Sequence, residues 1–161
     1  MLGVKFEYVE RVYESVGHSQ PRGRRADCIS GVCVRARQAP DVKGKWIGKT
    51  HTILVGKGGH WPKGRGTWAN PALLEKDLAF DIRGQDGRRF WGVTTISGGG
   101  EKTDEPFIGE LTGKDYKSFV FADTDGFWNG QVDGGDVLLF CYMHTNSKST
   151  VVSCSQVKRA R

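Results

Sequence analysis

From residue 44 onward the chain alternates apolar and polar positions in short runs broken by turn residues. The runs predict strands at 44–56, 75–84, 88–97, 104–112, 115–123, 126–132, 136–145 and 149–159. Between them stand QDGR (85–88), SGGGEK (97–102), TGKD (112–115), DTDG (123–126), DGGD (133–136) and NSKS (146–149). Glycine, aspartate and asparagine supply the positive φ and the local hydrogen bonds that tight turns require. Strands spaced by about 8–12 residues with such turns predict an all-β sandwich or barrel. Eight of them in up-and-down succession close most naturally into an antiparallel barrel, which has no open edge.

Two turns suggest registers. Asp86-Gly87 reads as the centre of a type I′ hairpin, which makes paired positions sum to 173, so that Ile82 faces Trp91, Phe80 faces Val93 and Leu78 faces Thr95, with Arg83 and Phe90 on the other face. A turn centred on Ser147-Lys148 makes positions sum to 295 and sets Cys141 directly opposite Cys154, close enough for a cross-strand disulfide. In these registers Phe90, Ile96, Phe140 and Val157 share an outward face, a candidate contact between subunits.

Residues 1–43 follow a different pattern. Phe6, Val9, Val12, Tyr13 and Val16 recur at helical spacing opposite Glu and Arg, predicting a short amphipathic helix in 4–16 that Gly17 can end. The chain then loses its period through PRGRR (21–25), and the apolar interlude CISGVCV (28–34) reads as an extra edge strand. The expected organisation is an N-terminal arm, 1–43, with a helix and a basic linker, followed by a barrel domain, 44–161. Inside that domain the link 57–74 is long and carries Trp61 and Trp68. Its NPALLEK stretch has a helix-like start at Pro71, and the whole reads as a structural flap or a lid over one barrel mouth.

Composition narrows the class. The 161 residues suffice for one core, and 23 glycines without a short repeat punctuate strands rather than build a fibrous chain. No window reaches the roughly 18 apolar residues of a membrane helix and no apolar signal-peptide core opens the chain, so a soluble protein away from membranes is expected. Net charge is +6, with eight Lys/Arg against five Asp/Glu in 1–43 and mixed signs thereafter. The arginines at 22–25 with Arg35 and Arg37 lack an aromatic platform, so they read as a solvated linker, and nucleic acid is not an expected partner.

Gly44-Lys45-Trp46 at the head of the first strand, and Lys158-Arg159 at the end of the last, resemble the pattern of calycins, the lipocalin and avidin barrels. The resemblance implies a closed barrel in which Gly44 and Trp46 open the first strand and Lys158 or Arg159 lies across the indole. The chain departs from that family in lacking the lipocalin Thr-Asp-Tyr segment and the polar set avidins use for biotin. On this reading Trp46, Gly48, Thr50, Thr52 and Leu54 point inward, and Lys49 and His51 outward. Trp46 is chiefly a plug in the barrel floor, while Thr50, Thr52, Trp91, Trp61 and Trp68 are, with it, the candidates to contact a small, partly polar ligand. A barrel of this size is equally able to be filled by its own side chains.

The remaining chemistry is sparse. An oxidised Cys141–Cys154 pair points to periplasm or secretion, and free thiols to a cytoplasm; Cys28 and Cys33 offer a second bridge. His18, His51, His60 and His144 show no metal-ligand spacing, and His51 and His60 read as surface or aromatic-packing residues, so neither metal nor cofactor is expected. Asp123, Asp125, Asn129, Asp133 and Asp136 fail the spacing of a calcium loop. Asp104, Glu105, Glu110 and Asp115 are candidate carboxylates without a sign of burial, and Ser149 near His144 lacks a nucleophile elbow. The expected function is a non-enzymatic barrel holding a small ligand in its cup. The alternatives are an inhibitor-like module using turns and the 57–74 flap against a protein partner or a second copy, and a barrel enzyme such as an isomerase, which needs a carboxylate deep in a pocket.

Overall fold

A computed structural model describes residues 28–29, 32–33, 38–60 and 64–161. The 4–16 stretch, the arginines at 22–25, Arg35, Arg37 and Trp61 lie outside the described residues. Strands β1 (Cys28–Ile29) and β2 (Val32–Cys33) form a hairpin of their own with Cys28 opposite Cys33, rather than an edge strand of the larger sheet.

The compact unit Arg37–Arg161 contains β3 (Gly44–Gly56), β4 (Ala72–Asp86), β5 (Arg89–Gly98), β6 (Glu101–Thr112), β7 (Ser118–Ala122), β8 (Phe127–Asp133), β9 (Val137–Thr145) and β10 (Ser149–Arg159). These eight strands close into an antiparallel barrel in chain order, with β10 pairing β3. Alternation along each strand sends one set of side chains inward. On β3 that set includes Trp46, Thr50, Thr52 and Leu54, all buried, while Lys49 and His51 are exposed.

Aromatic rings fill the barrel. Phe80 meets Phe107, Phe121, Trp128 and Phe140 edge-on, with centroids 5.2–6.0 Å away, in the geometry that ring quadrupoles favour. The space left among these rings is about 10 Å³, the lower limit for one water and, in an apolar setting, dry. The central cup expected for a ligand is therefore occupied by the protein's own side chains.

At the floor, the indole of Trp46 donates to the carbonyl of Val42 (3.0 Å), and Val42 is itself buried, so residues just before β3 help seal that end. Arg159, not Lys158, lies over the indole; Lys158 faces solvent.

Three expectations need correction. The β4–β5 turn has Gly87 and Arg88 at its centre, and only Gly87 has positive φ (58°), so the geometry is that of type II′ rather than I′. Asp86 stays in the strand opposite Arg89, with which it forms an ion pair, and a bulge follows between Ile82 and Gly84. Beyond the bulge Ile82 pairs Gly92, Phe80 pairs Thr94 and Leu78 pairs Ile96. Because side chains alternate, this shift of one residue reverses the faces of β5. Phe90 turns into the core, and Trp91, 46% exposed, lies outside across Gly84. The proposed outward set fails as well: Phe90 and Ile96 turn inward with the β5 shift, whereas Phe140 and Val157, in the register expected for β9 and β10, belong to the buried inward rows of those strands. Finally, the helix-like start at Pro71 is the entrance to β4, which begins at Ala72 and pairs β3 from Leu54.

Candidate functional site

The inward rows do not stay apolar. On β6 the row that holds Phe107 continues to Glu105, on β9 the row of Phe140 continues to Tyr142 and His144, and on β3 and β10 it reaches Thr52, Ser153 and Ser149. All these residues lie toward one mouth, opposite the Trp46 floor. Burying so many polar groups costs free energy unless each is satisfied.

Most are. Thr52 Oγ1 donates to Ser153 Oγ (3.0 Å), and the Lys76 backbone N–H donates to Thr50 Oγ1 (2.9 Å). The β7–β8 turn is organised by Asp123, whose Oδ1 accepts from the backbone of Asp125 and Gly126 and whose Oδ2 accepts from the Trp128 indole at 2.7 Å. The aspartates of DTDG thus cap a turn and direct Asp125 toward the mouth. The Tyr142 hydroxyl donates to Asp125 Oδ1 (2.6 Å) and lies 2.7 Å from His144 Nδ1. His144 Nε2 lies 3.0 Å from Ser149 Oγ.

The Tyr142 phenol is held protonated, its pKa raised far above the ordinary value by burial and by the Asp125 carboxylate that accepts its proton. With that single proton directed at Asp125, the phenol oxygen accepts from His144 Nδ1–H. In the tautomer that carries its proton on Nδ1, His144 Nε2 accepts from the Ser149 hydroxyl. Ser149, His144, Tyr142 and Asp125 form a hydrogen-bonded chain that runs from a buried serine to an aspartate at the solvent edge. It resembles the parts of a nucleophilic triad, but Ser149 is buried and the neighbouring cavity is about 20 Å³, room for about one water and not for an acyl substrate.

His60 enters from the link after β3, its carbonyl accepting from Lys76 Nζ (2.6 Å), which also pairs with Glu101 (2.9 Å). Its Nε2 stands 3.4 Å from Glu105 Oε1 and 3.7 Å from Asp125 Oδ2, without a hydrogen bond and shut off from solvent. Burial, the largest influence, raises the pKa of Glu105; His60 and the hydroxyl of Thr124, which donates at 3.0 Å, offset it in part. Across the β5–β6 ladder, directly opposite Glu105, the buried Thr94 hydroxyl also lacks a partner. His60, Glu105 and Asp125 present one imidazole nitrogen and two carboxylates within 4.8 Å of one another, a donor set able to hold a metal ion.

Of the residues singled out from sequence, Thr50 and Thr52 stand at this mouth, lining the small cavity with His60, Tyr142 and His144. Trp46 is at the opposite end, fully buried. Trp91 and Trp68 (80% exposed) point to solvent, and Trp61 lies outside the described residues. Gly44, with φ 112°, sits beside Arg159, and Cys141 and Cys154 are disulfide-bonded. His60, Glu105, Asp125, Tyr142 and His144 escaped spacing arguments because they come from separate strands and turns. One signal was available: a polar residue two positions beyond a buried aromatic, as Glu105 follows the Phe107 row and Tyr142 and His144 follow Phe140, stands on the inward face. Compared with known proteins, the chain matches no family model, no curated protein and no solved structure.

Proposed function

We propose that this protein is a non-enzymatic barrel of calycin-like build that binds a small, polar ligand at the mouth formed by His60, Glu105, Asp125, Tyr142 and His144. One observation carries the reading: polar inward groups gather at one end of an otherwise aromatic barrel, and His60 Nε2 there has no hydrogen-bond partner. The cavity beside it is about 20 Å³, so a ligand enters by a polar tip. Thr50 and Thr52 serve as contacts on the β3 side, and Trp46 as floor only. The Arg159–Trp46 stacking favours the calycin-like assignment, and the Cys141–Cys154 disulfide favours a periplasmic or secreted setting.

Trp128 lines the cavity and serves as its reporter. In a fluorescence titration with small polar acids, amines and sugars, at least one class is expected to change Trp128 emission saturably, and Tyr142→Phe to weaken it. No saturable change with any class, by fluorescence or by native mass spectrometry of the purified protein, overturns the reading.

A second reading, self-association, is favoured by a different observation. An outward apolar row runs round the barrel through paired positions: Trp91, Ile108, Ala122, Phe127, Met143, Val152, Ile53 and Leu73. Ile108, Phe127 and Leu73 are each at least 70% exposed. Between Trp91 and Phe127 the row lies in a groove whose rim carries Asp86, Arg89 and Glu110. Charges of both signs on one rim suit a second copy of the same chain, since a twofold axis can bring each against its opposite. Light scattering is expected to show a dimer that Ile108→Ser with Phe127→Ser converts to monomer; a concentration-independent monomer removes this reading.

A further inference from the structure

We infer that His60, Glu105 and Asp125 form a site for a divalent transition-metal cation of the zinc type. The inference rests on the mouth being a binding site and names the ligand class that these three residues take. Three ligand atoms placed about 2.0–2.1 Å from a tetrahedral ion lie roughly 3.4 Å from one another. The observed separations of His60 Nε2 from Glu105 Oε1 and Asp125 Oδ2 are 3.4 and 3.7 Å, and all three donors fall within 4.8 Å. No large rearrangement is needed to load the site.

The donors are also prepared as ligands usually are. Metal-binding carboxylates are oriented by hydrogen bonds to their second oxygen or from neighbouring groups. Asp125 Oδ1 is fixed by the Tyr142 hydroxyl, which leaves Oδ2 toward His60, and the Thr124 hydroxyl donates to Glu105 Oε1, the oxygen that itself faces His60. The backbone of His60 is tied by Lys76. An independent observation points to a missing partner: the His60 Nε2 atom is buried and makes no hydrogen bond. The cavity of about 20 Å³ beside His60, lined also by Thr50, Thr52, Tyr142 and His144, has room for about one water. One nitrogen with two carboxylates selects against magnesium and calcium, which take oxygen ligands, and suits zinc or cobalt.

The test uses the full chain with its disulfide intact, stripped by a chelator and dialysed against Zn²⁺, then against Co²⁺. The expected result is one equivalent bound, a Co²⁺ visible spectrum of tetrahedral type, and no displacement by excess Mg²⁺ or Ca²⁺. His60→Ala, Glu105→Gln and Asp125→Asn should each weaken Zn²⁺ by at least about tenfold, whereas His51→Ala on the barrel exterior should not. Circular dichroism confirms that each variant keeps the β-barrel, and Zn²⁺ should raise the melting temperature of the parent chain but not of His60→Ala. Absence of stoichiometric binding, or binding indifferent to all three variants, overturns the inference and leaves His60 as an ion-pair partner of the two carboxylates. The two readings fail separately: a small organic ligand that reports on Trp128 with no Zn²⁺ bound removes the metal alone, and the reverse result keeps the metal and removes the organic ligand.

Discussion

Arg159 holds its guanidinium carbon 4.1 Å from the centroid of the Trp46 ring, and the two residues are directly paired across the β10–β3 ladder that closes the barrel. The same guanidinium donates to the carbonyls of Lys43, Asp41 and Gly135, so one side chain ties the lead-in segment, the last strand and the β8–β9 turn to the floor. Trp46 has no exposed surface, and the cation therefore acts on a shielded ring, where the attraction is stronger than at an open site. Arg159→Ala is expected to cost about 1–3 kcal/mol in urea unfolding. Arg159→Lys should restore only part, since an ammonium cannot spread its donors over three carbonyls. Equal stability of the alanine variant and the parent would show that the floor is held by packing alone.

The Cys141–Cys154 disulfide joins directly opposed positions and closes a loop of sequence separation 13. Constraining the unfolded chain by a loop of that size is worth about 3 kcal/mol. A reductant, or Cys141→Ser with Cys154→Ser, should lower the denaturant midpoint accordingly, with the far-ultraviolet spectrum unchanged at zero denaturant. Loss of the β spectrum on reduction would mean that the bridge is needed to close the barrel at all.

Gly126 is required by contact with the site. A Cβ there would clash with two ring carbons of Tyr142 and with its hydroxyl oxygen. Gly126→Ala should push Tyr142 off Asp125 and destabilise by about 1–3 kcal/mol. Tyr142→Phe removes the same hydrogen bond without displacing the ring and leaves the buried His144 without that partner, for a similar loss. The double variant should fall short of the sum, because both changes remove one interaction. Additive losses in chemical denaturation would separate Gly126 from the hydrogen-bonded chain.

Glu105 should make the metal-free protein less stable as pH rises. Its folded pKa is raised, mainly by burial, above the 4.5 of an ordinary glutamate, so the native state binds the proton more tightly than the unfolded chain. Its contribution is fully present below pH about 4.5 and is lost as pH climbs through the raised value. Glu105→Gln, measured in chelator, should therefore be more stable than the parent at neutral pH, with the gap narrowing on acidification. A gap that widens toward low pH would show that the ionised form is the one the fold favours.

Much of the architecture was legible in the chain because it rests on local rules. Alternation and glycine–aspartate turns locate strands through short-range sterics, and Gly44–Gly56, Val137–Thr145 and Ser149–Arg159 differ from the expected bounds by at most one residue. The β9–β10 register followed as well, because the ladder runs into its turn without a bulge and Cys154 meets Cys141. The β4–β5 register did not. Phe90 and Trp91 are adjacent and both apolar, so alternation cannot choose which faces inward, and the choice fell to the turn at Gly87-Arg88 and the bulge before Gly84.

Near-neighbour rules along the chain account for the strands, most turns, the inward row of β3 and the basic residue at the end of β10. What fills the barrel and where its polar groups meet depends on strand closure. Closure brings His60 from a link, Glu105 from β6, Asp125 from a turn, and Tyr142 and His144 from β9 into one mouth. The two-residue strand period places Tyr142 and His144 on one inward row, but no spacing along the chain links them to His60, Glu105 or Asp125, and that proximity exists only once the strands have paired. The physical reason is the closed ring of hydrogen bonds, which fixes each inward row against all the others.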